Sequence, residues 1–244
     1  MIPCNWKVGL EAFLEGLHVA EVHPEALPYT GDINCQYDTW GPHISRMMSA
    51  LATPSPRLAA AARSEQDTVD AMRGFVVGDI GELTVPADGS ARQVMGKAMK
   101  AMLSQATGVD HEPFSTSEVL DAIQYFAFPN FVPWAGYGVP IVYRFRPYGN
   151  DPDQCIMEVM LLYLIADSSN YQPVGVRWLA ADEPWSTAQE LGGLGAIFDQ
   201  DAANFAAIQA GLKAGGAPTL TLSSYQESRV RHYHQTLRSY LSSA

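Results

Sequence analysis

Residues 7–22, KVGLEAFLEGLHVAEV, set Leu10, Phe13, Leu14 and Leu17 three and four positions apart, the spacing that lines one face of an α-helix. The pattern predicts a helix over the whole stretch. Residues 56–72 and 91–106 are rich in Ala, Met, Arg, Gln and Lys, which lose little side-chain freedom in a helix, and both predict helices. STSEVLDAI, from residue 115, opens with Ser115 three positions before Glu118, a capping box that predicts another. The middle of the chain changes character: GFVVGD (74–79), AIQYFAFPNF (122–131), VPIVYRFRP (139–147) and IMEVMLLYLIA (156–166) are dense in β-branched and aromatic residues and predict strands. YGNDPD, between the last two, is turn chemistry, so those two should pair antiparallel. Residues 224–241 place Val230, Tyr233, Leu237 and Tyr240 or Leu241 on one stripe and predict a long closing helix. Strands in succession, with helices before and after, point to an α+β fold with helices on one face of an antiparallel sheet.

Composition narrows the picture to one packed domain over residues 1–244, since 47% of the residues are hydrophobic and 17% charged. A net charge of -11 repels phosphate backbones and anionic lipid headgroups, which argues against nucleic acid and membrane surfaces as partners. Cys4, Cys35 and Cys155 are odd in number and widely spaced, reading as reduced thiols in a cytoplasmic chain; the first residues lack a secretory pattern. The longest apolar run, 156–166, is interrupted by Glu158 and is far short of the roughly 20 residues a membrane helix needs.

The candidate chemistry starts at EGLHVAEVHP, residues 15–24. Glu15 and His18 are neighbours on a helix, but His18 and His23 would lie about 140° apart. Pro24 disfavours helical geometry at His23, so the helix should loosen or end there and let both imidazoles turn to one point. Spacing alone leaves a surface histidine pair as the commoner reading. GGLGAI (192–197) does not complete a dinucleotide-binding glycine pattern, and no HExxH motif supports a zinc hydrolase. The two histidines of RVRHYH, at i and i+2, face apart on a helix and read as a solvated or subunit-contacting face.

Several motifs in order resemble the catalytic domain of Rieske-type aromatic-ring-hydroxylating oxygenase large (alpha) subunits. Asn5, Trp6, Lys7, Glu15, His18, His23 and Pro24 match the family's opening pattern, PNFVPWAG (129–136) and YRFRPYGNDPD (143–153) its strand pair, and YQESRVRHYHQTL its last helix. FDQDAANFAAIQAGLKA (198–214) is similar to the segment with an acid eight positions before a glutamine, here Asp201 and Gln209.

The resemblance implies a helix-grip (START-like) fold, an antiparallel sheet wrapped around a long C-terminal helix, and a mononuclear Fe(II) held by His18, His23 and Asp201. Two imidazoles and one carboxylate on one face leave the other face open. Asp201, read as lying in the first turn of a helix, would gain from the positive helix end. Its rivals are a helix-cap role and Asp199 as ligand, but the spacing to Gln209 in the resemblance favours Asp201. Glu15 matches the family's bridging acid, a catalytic role that links a ligand histidine to a Rieske histidine of the neighbouring subunit and would orient His18; the alternative is an exposed helix glutamate. Glu11 stands where the family often has asparagine and would put a carboxylate near the iron. Phe13, Leu14, Leu17, Val19, Phe131, Trp134 and Ile197 lie near the ligand segments and are the candidates for an apolar substrate pocket, though apolar residues at helical spacing are more often core.

No Cys-x-His pair occurs in these residues, so the Rieske [2Fe-2S] domain is expected to be lacking and the cluster to come from another chain. The implied activity is oxygen insertion into an aromatic or other apolar small molecule, giving a cis-diol or a phenol, with little turnover by the chain alone. Implied partners are a Rieske-containing chain, a beta subunit or electron-transfer proteins, and two further copies in a homotrimer. A different class stays open: a non-catalytic helix-grip module that binds apolar ligands and keeps a vestigial metal site.

Overall fold

The computed structural model describes every residue except 59–63, 77, 168, 170, 173, 217, 218 and 244. Along the chain run α1 (Trp6–Ala12), α2 (Val19–Val22), β1 (Gln36–Trp40), β2 (Ile44–Ser49), α3 (Glu65–Arg73), α4 (Ala91–Thr107), α5 (Thr116–Leu120), β3 (Ala122–Ala127), β4 (Phe131–Ala135), β5 (Ile141–Tyr148), β6 (Asp151–Leu161), α6 (Leu194–Ala214) and α7 (Ser228–Ser243). The strands form one antiparallel sheet in the order β1-β2-β3-β4-β5-β6. Neighbours in space are neighbours in sequence, even though α3, α4 and α5 are inserted between β2 and β3.

Alternation explains which face of the sheet is covered. Ser45, Met47 and Ser49 of β2 and Ala122, Gln124 and Phe126 of β3 are buried, two apart along each strand, so all six share one face. At one end of that face α7 packs Tyr233 edge-on against Phe126, with ring centroids 5.8 Å apart. Arg229 of α7 reaches Ser45 and Gln124, and the Thr236 hydroxyl donates to the Pro42 carbonyl, so the first three strands grip the closing helix. Nearer β5, α1 comes so close that a Cβ on Gly9 would sit 2.8 Å from Ile2 Cδ1 and 3.3 Å from the Phe145 ring, so a larger residue there would make the Ile2 side chain shift. No helix among the described residues is long and apolar enough to cross a membrane.

The α+β class and the antiparallel β5–β6 pair agree with the sequence pattern, and α4, α5 and α7 lie where it puts them. Other elements differ for local reasons. The helix expected over 7–22 is cut into α1 and α2, because the carboxylate of Glu15 takes the backbone N–H groups of Leu17 and His18 and begins a new turn. Of the helix expected over 56–72, α3 starts at Glu65, where Ser64 and Asp67 form a capping box; residues 59–63 lie outside the described part. The described residues of 74–79 are turn and bend rather than strand, beginning with a Phe75 N–H that closes onto the Met72 carbonyl. The stretch 122–131 divides into β3 and β4 at Phe128–Asn130, where Pro129 has no N–H for the ladder. The strand expected over 156–166 begins earlier, at Asp151, and ends at Leu161, leaving Leu162 to Ile165 exposed.

Candidate metal centre

A single helical turn separates the two histidines. His18 precedes α2 and its carbonyl accepts from Val22 N at 2.8 Å, while His23 closes the turn by donating its N–H to Val19 O at 3.0 Å. At His23 the backbone leaves helical geometry (φ -126°, ψ 56°), and Pro24 opens a short 3-10 turn. The helix therefore ends at His23, as Pro24 predicts, but it also starts only at His18. With the histidines at the two ends, their rings approach to 5.4 Å between centroids, at 76°.

α6 supplies the third group. Asp201 Oδ1 lies 3.0 Å from His23 Nε2 and 3.8 Å from His18 Nε2, and the three candidate ligand atoms are all within 4.8 Å of one another. No other such set of three occurs among the described residues. The far side of each ring is held as well. His18 Nδ1 donates to Glu15 Oε1 at 2.6 Å, and His23 Nδ1 donates to Gln200 Oε1 at 2.7 Å. Since both partners are acceptors, a neutral imidazole carries its proton on Nδ1 and turns the Nε2 lone pair to the shared point, the tautomer metal ligation needs. Two imidazole nitrogens and a carboxylate oxygen fit a divalent first-row metal.

Burial works against a charged His23, but the hydrogen bond and charge of Asp201 outweigh it, with Gln200 and Glu25 adding to them, and the imidazole is held above its usual value. Burial, with the Asp201 charge, pushes the Tyr143 phenol well above its usual range, so it stays protonated beside the cluster.

The position of Asp201 corrects one expectation. It is the eighth residue of α6, about 10 Å along the axis from the helix start, and the helix-end charge fades within the first turn. Asp199 points elsewhere, accepting from Trp185 N at 2.5 Å and Ser186 N at 3.2 Å. Gln209 is remote from the cluster and ties α6 to the chain start, accepting from Asn5 N at 3.2 Å and donating to Asp153 Oδ1 at 2.6 Å. Glu11 also faces away from the centre, towards α7, where it meets His234 Nε2 at 2.8 Å. His232 meets the Gly41 carbonyl at 2.7 Å, so the RVRHYH histidines are engaged within this chain. Gln200 escaped the sequence reading, although a polar residue beside a candidate ligand acid was a signal.

A cavity of about 150 Å³ opens beside the three groups. Of the candidate pocket residues, Phe13, Val19, Trp134 and Ile197 line it, as does Glu15. Leu14, Leu17 and Phe131 do not. Leu14 is fully buried in the core, and Leu17 sits partly buried in the turn before α2. Phe131 is 39% exposed because strand alternation turns it outward when Val132 and Trp134 turn inward. Tyr29, Met47, Phe75, Gln124, Tyr143 and Leu194 complete much of the wall.

A mixed helix and antiparallel-sheet fold with two imidazoles and one carboxylate converging beside an apolar cavity defines a candidate mononuclear metal protein. The chain belongs to the family described as the ring hydroxylating alpha subunit (catalytic domain), whose profile matches residues 1–243. It is therefore of an oxygenase, and so oxidoreductase, family that uses non-haem iron. Among solved structures the chain is similar to the crystal structure of dicamba monooxygenase bound to 3,6-dichlorosalicylic acid, at 12% identity and a TM-score of 0.39. That match covers 100% of this chain and 58% of the other, so the chain spans less than two thirds of that structure's length. No curated protein sequence matches it.

Proposed function

We propose that residues 1–244 form one catalytic unit in which His18, His23 and Asp201 hold a mononuclear Fe(II), and that this unit inserts oxygen into a small aromatic substrate. The observation that carries the reading is the pair of Nε2 atoms directed at one buried carboxylate oxygen while both Nδ1 atoms are held by acceptors. When bound, the iron supplies the redox chemistry that activates dioxygen. The protein's own share is positional. Glu15 and Gln200 fix the two rings, Asp201 provides the anionic donor, and the neutral Tyr143 keeps a second negative charge away from it. Phe13, Val19, Trp134 and Ile197 hold an apolar ring beside the centre and exclude water. The volume is of the order of the engineered apolar cavity of about 150 Å³ that accepts benzene, which favours substrates built on one ring.

Residues 1–244 contain no Cys-x-His pair, so the electrons come from a Rieske cluster outside them, and Glu15, already bonded to His18, is the acid through which they arrive. Reconstituted anaerobically, the purified chain should hold about one Fe(II), as a single facial site does. His18→Ala, His23→Ala and Asp201→Ala should each lower that occupancy, and unchanged iron in all three variants would defeat the assignment. Equal binding of aromatics with and without iron, together with no iron uptake, would make the chain a binding module instead.

A further inference from the structure

The sheet floor of the cavity is not simply apolar. In the β2–β3–β4 register, Met47 sits opposite Gln124 and Gln124 opposite Trp134, so the three stand in one row across the sheet, and all three line the cavity. Direct partners on adjacent strands have Cβ atoms about 5 Å apart, close enough to serve one ligand group. Behind this row lies Arg229 of α7, with no exposed surface. Its guanidinium donates to Gln124 Oε1 at 2.8 Å, Ser45 Oγ at 3.1 Å and Leu14 O at 3.5 Å, while Nη2 is buried without a partner. No carboxylate among its hydrogen-bond partners balances the charge, an arrangement that is costly unless something else supplies the counter-charge. Burial pushes the guanidinium down to about 9, which leaves it charged at neutral pH.

Two consequences follow for the cavity. Because Arg229 takes the amide oxygen of Gln124, the NH2 end of that amide is turned away from the guanidinium. Next to it, Trp134 Nε1 is buried with no hydrogen-bond partner, although a buried indole N–H ordinarily finds one. Two neighbouring N–H donors, polarised by an unbalanced cation, suit an anionic acceptor. The acids around the cavity are otherwise engaged: Asp32 pairs with Arg57 at 3.0 Å, Glu15 with His18, and Asp201 with the histidines. Asp32 keeps one oxygen, Oδ1, without a partner, a point on the wall that would favour an amine.

We propose that the cavity selects a single-ring aromatic substrate bearing a carboxylate, received by Gln124 and Trp134 with Arg229 supplying the positive charge behind them. Gln124 and Trp134 touch the substrate; Arg229 acts through Gln124 as a positioning residue. This rests on the aromatic-substrate reading above, and the test keeps the two separate by using metal-free protein, in which a carboxylate has no iron to bind.

The experiment is calorimetric titration of the metal-free chain with benzoate, toluene and benzylamine, with iron content measured on a parallel sample. Benzoate should bind about tenfold or more tighter than toluene, the worth of a hydrogen bond to a charged group, and benzylamine weakest. Trp134→Phe, which removes the N–H and keeps a ring, should cut the ratio of benzoate to toluene affinity several-fold, whatever the smaller ring does to toluene itself. Gln124→Glu gives Arg229 a carboxylate partner, so the thermal midpoint should hold or rise while the benzoate preference disappears. Benzoate no tighter than toluene, an unchanged preference in both variants, or benzylamine preferred would each overturn the proposal. Benzoate selectivity in a chain that takes up no iron upholds it while the oxygenase reading fails; iron uptake without that selectivity does the reverse.

Discussion

On the helical side of the cavity, His18 Nδ1 rests 2.6 Å from Glu15 and His23 Nδ1 2.7 Å from Gln200; on the sheet side, Trp134 Nε1 and one nitrogen of Arg229 are buried with nothing to bond. The first region is complete apart from what its two Nε2 atoms and one carboxylate face. The second leaves the Trp134 indole N–H on the cavity wall unsatisfied and, behind that wall, one nitrogen of Arg229. A buried polar group left unpaired costs about 1–3 kcal/mol, so the Trp134 N–H is where the proposed carboxylate would gain, whereas the satisfied helical side holds its rings without a ligand. The satisfied and the unsatisfied polar groups thus belong to different walls, one helical and one of the sheet.

The sharpest way to break the contrast is to remove the convergent groups themselves. Asp201→Ala or His23→Ala should reduce iron from about one per chain to almost none, read by metal analysis after anaerobic reconstitution. Removing the outer holders should have a smaller effect. Gln200→Leu and Glu15→Leu should weaken iron binding about 10–100-fold, read by competition with a chelator, while Trp134→Phe on the opposite wall leaves it unchanged. An equal loss from Trp134→Phe would erase the distinction between the walls.

Acidity sharpens the comparison next. His23 is raised in the metal-free fold, so its stabilising contribution is fully present below its unfolded value of about 6.5 and is lost as pH rises through the folded value. Iron needs the unprotonated ring, so its affinity should rise over that same window. Melting curves from about pH 5.5 to 8.5 should therefore show a metal-free chain that loses this contribution and an iron-loaded chain that gains stability. The smallest effect belongs to neither wall. Gln209→Ala, which severs the tie between α6, Asn5 and Asp153, should cost about 0.5–1.5 kcal/mol in denaturant titration and leave iron content unchanged.

Local chemistry made some of this legible in the chain. Pro24 marked the end of the helix at His23, Ser115 with Glu118 marked the start of α5, and YGNDPD marked the β5–β6 turn, because each acts within a few residues. Alternation in QYDTW and ISRMMS, around Gly41 and Pro42, could have revealed β1 and β2 but is short and weak. The break of the first helix was hidden because Glu15 acts there by capping through its side chain, which a periodicity of apolar residues does not register.

By itself the sequence determined an α+β chain whose first helical stretch ends at His23, since spacing, proline and turn residues constrain the backbone only over short range. Only the tertiary structure decided that Asp199 turns to the Trp185 and Ser186 backbone, that Gln200 braces one of the histidine rings, and that Phe131 looks away from the cavity. Those outcomes depend on the angle at which α6 docks and on the register of β4, both set by contacts between residues more than a hundred positions apart in some cases, such as the 178 that separate His23 from Asp201. The charge of Arg229 behind Gln124 is of the same kind: neither residue signals the other along the chain, and the gripping of α7 by the sheet is what joins them.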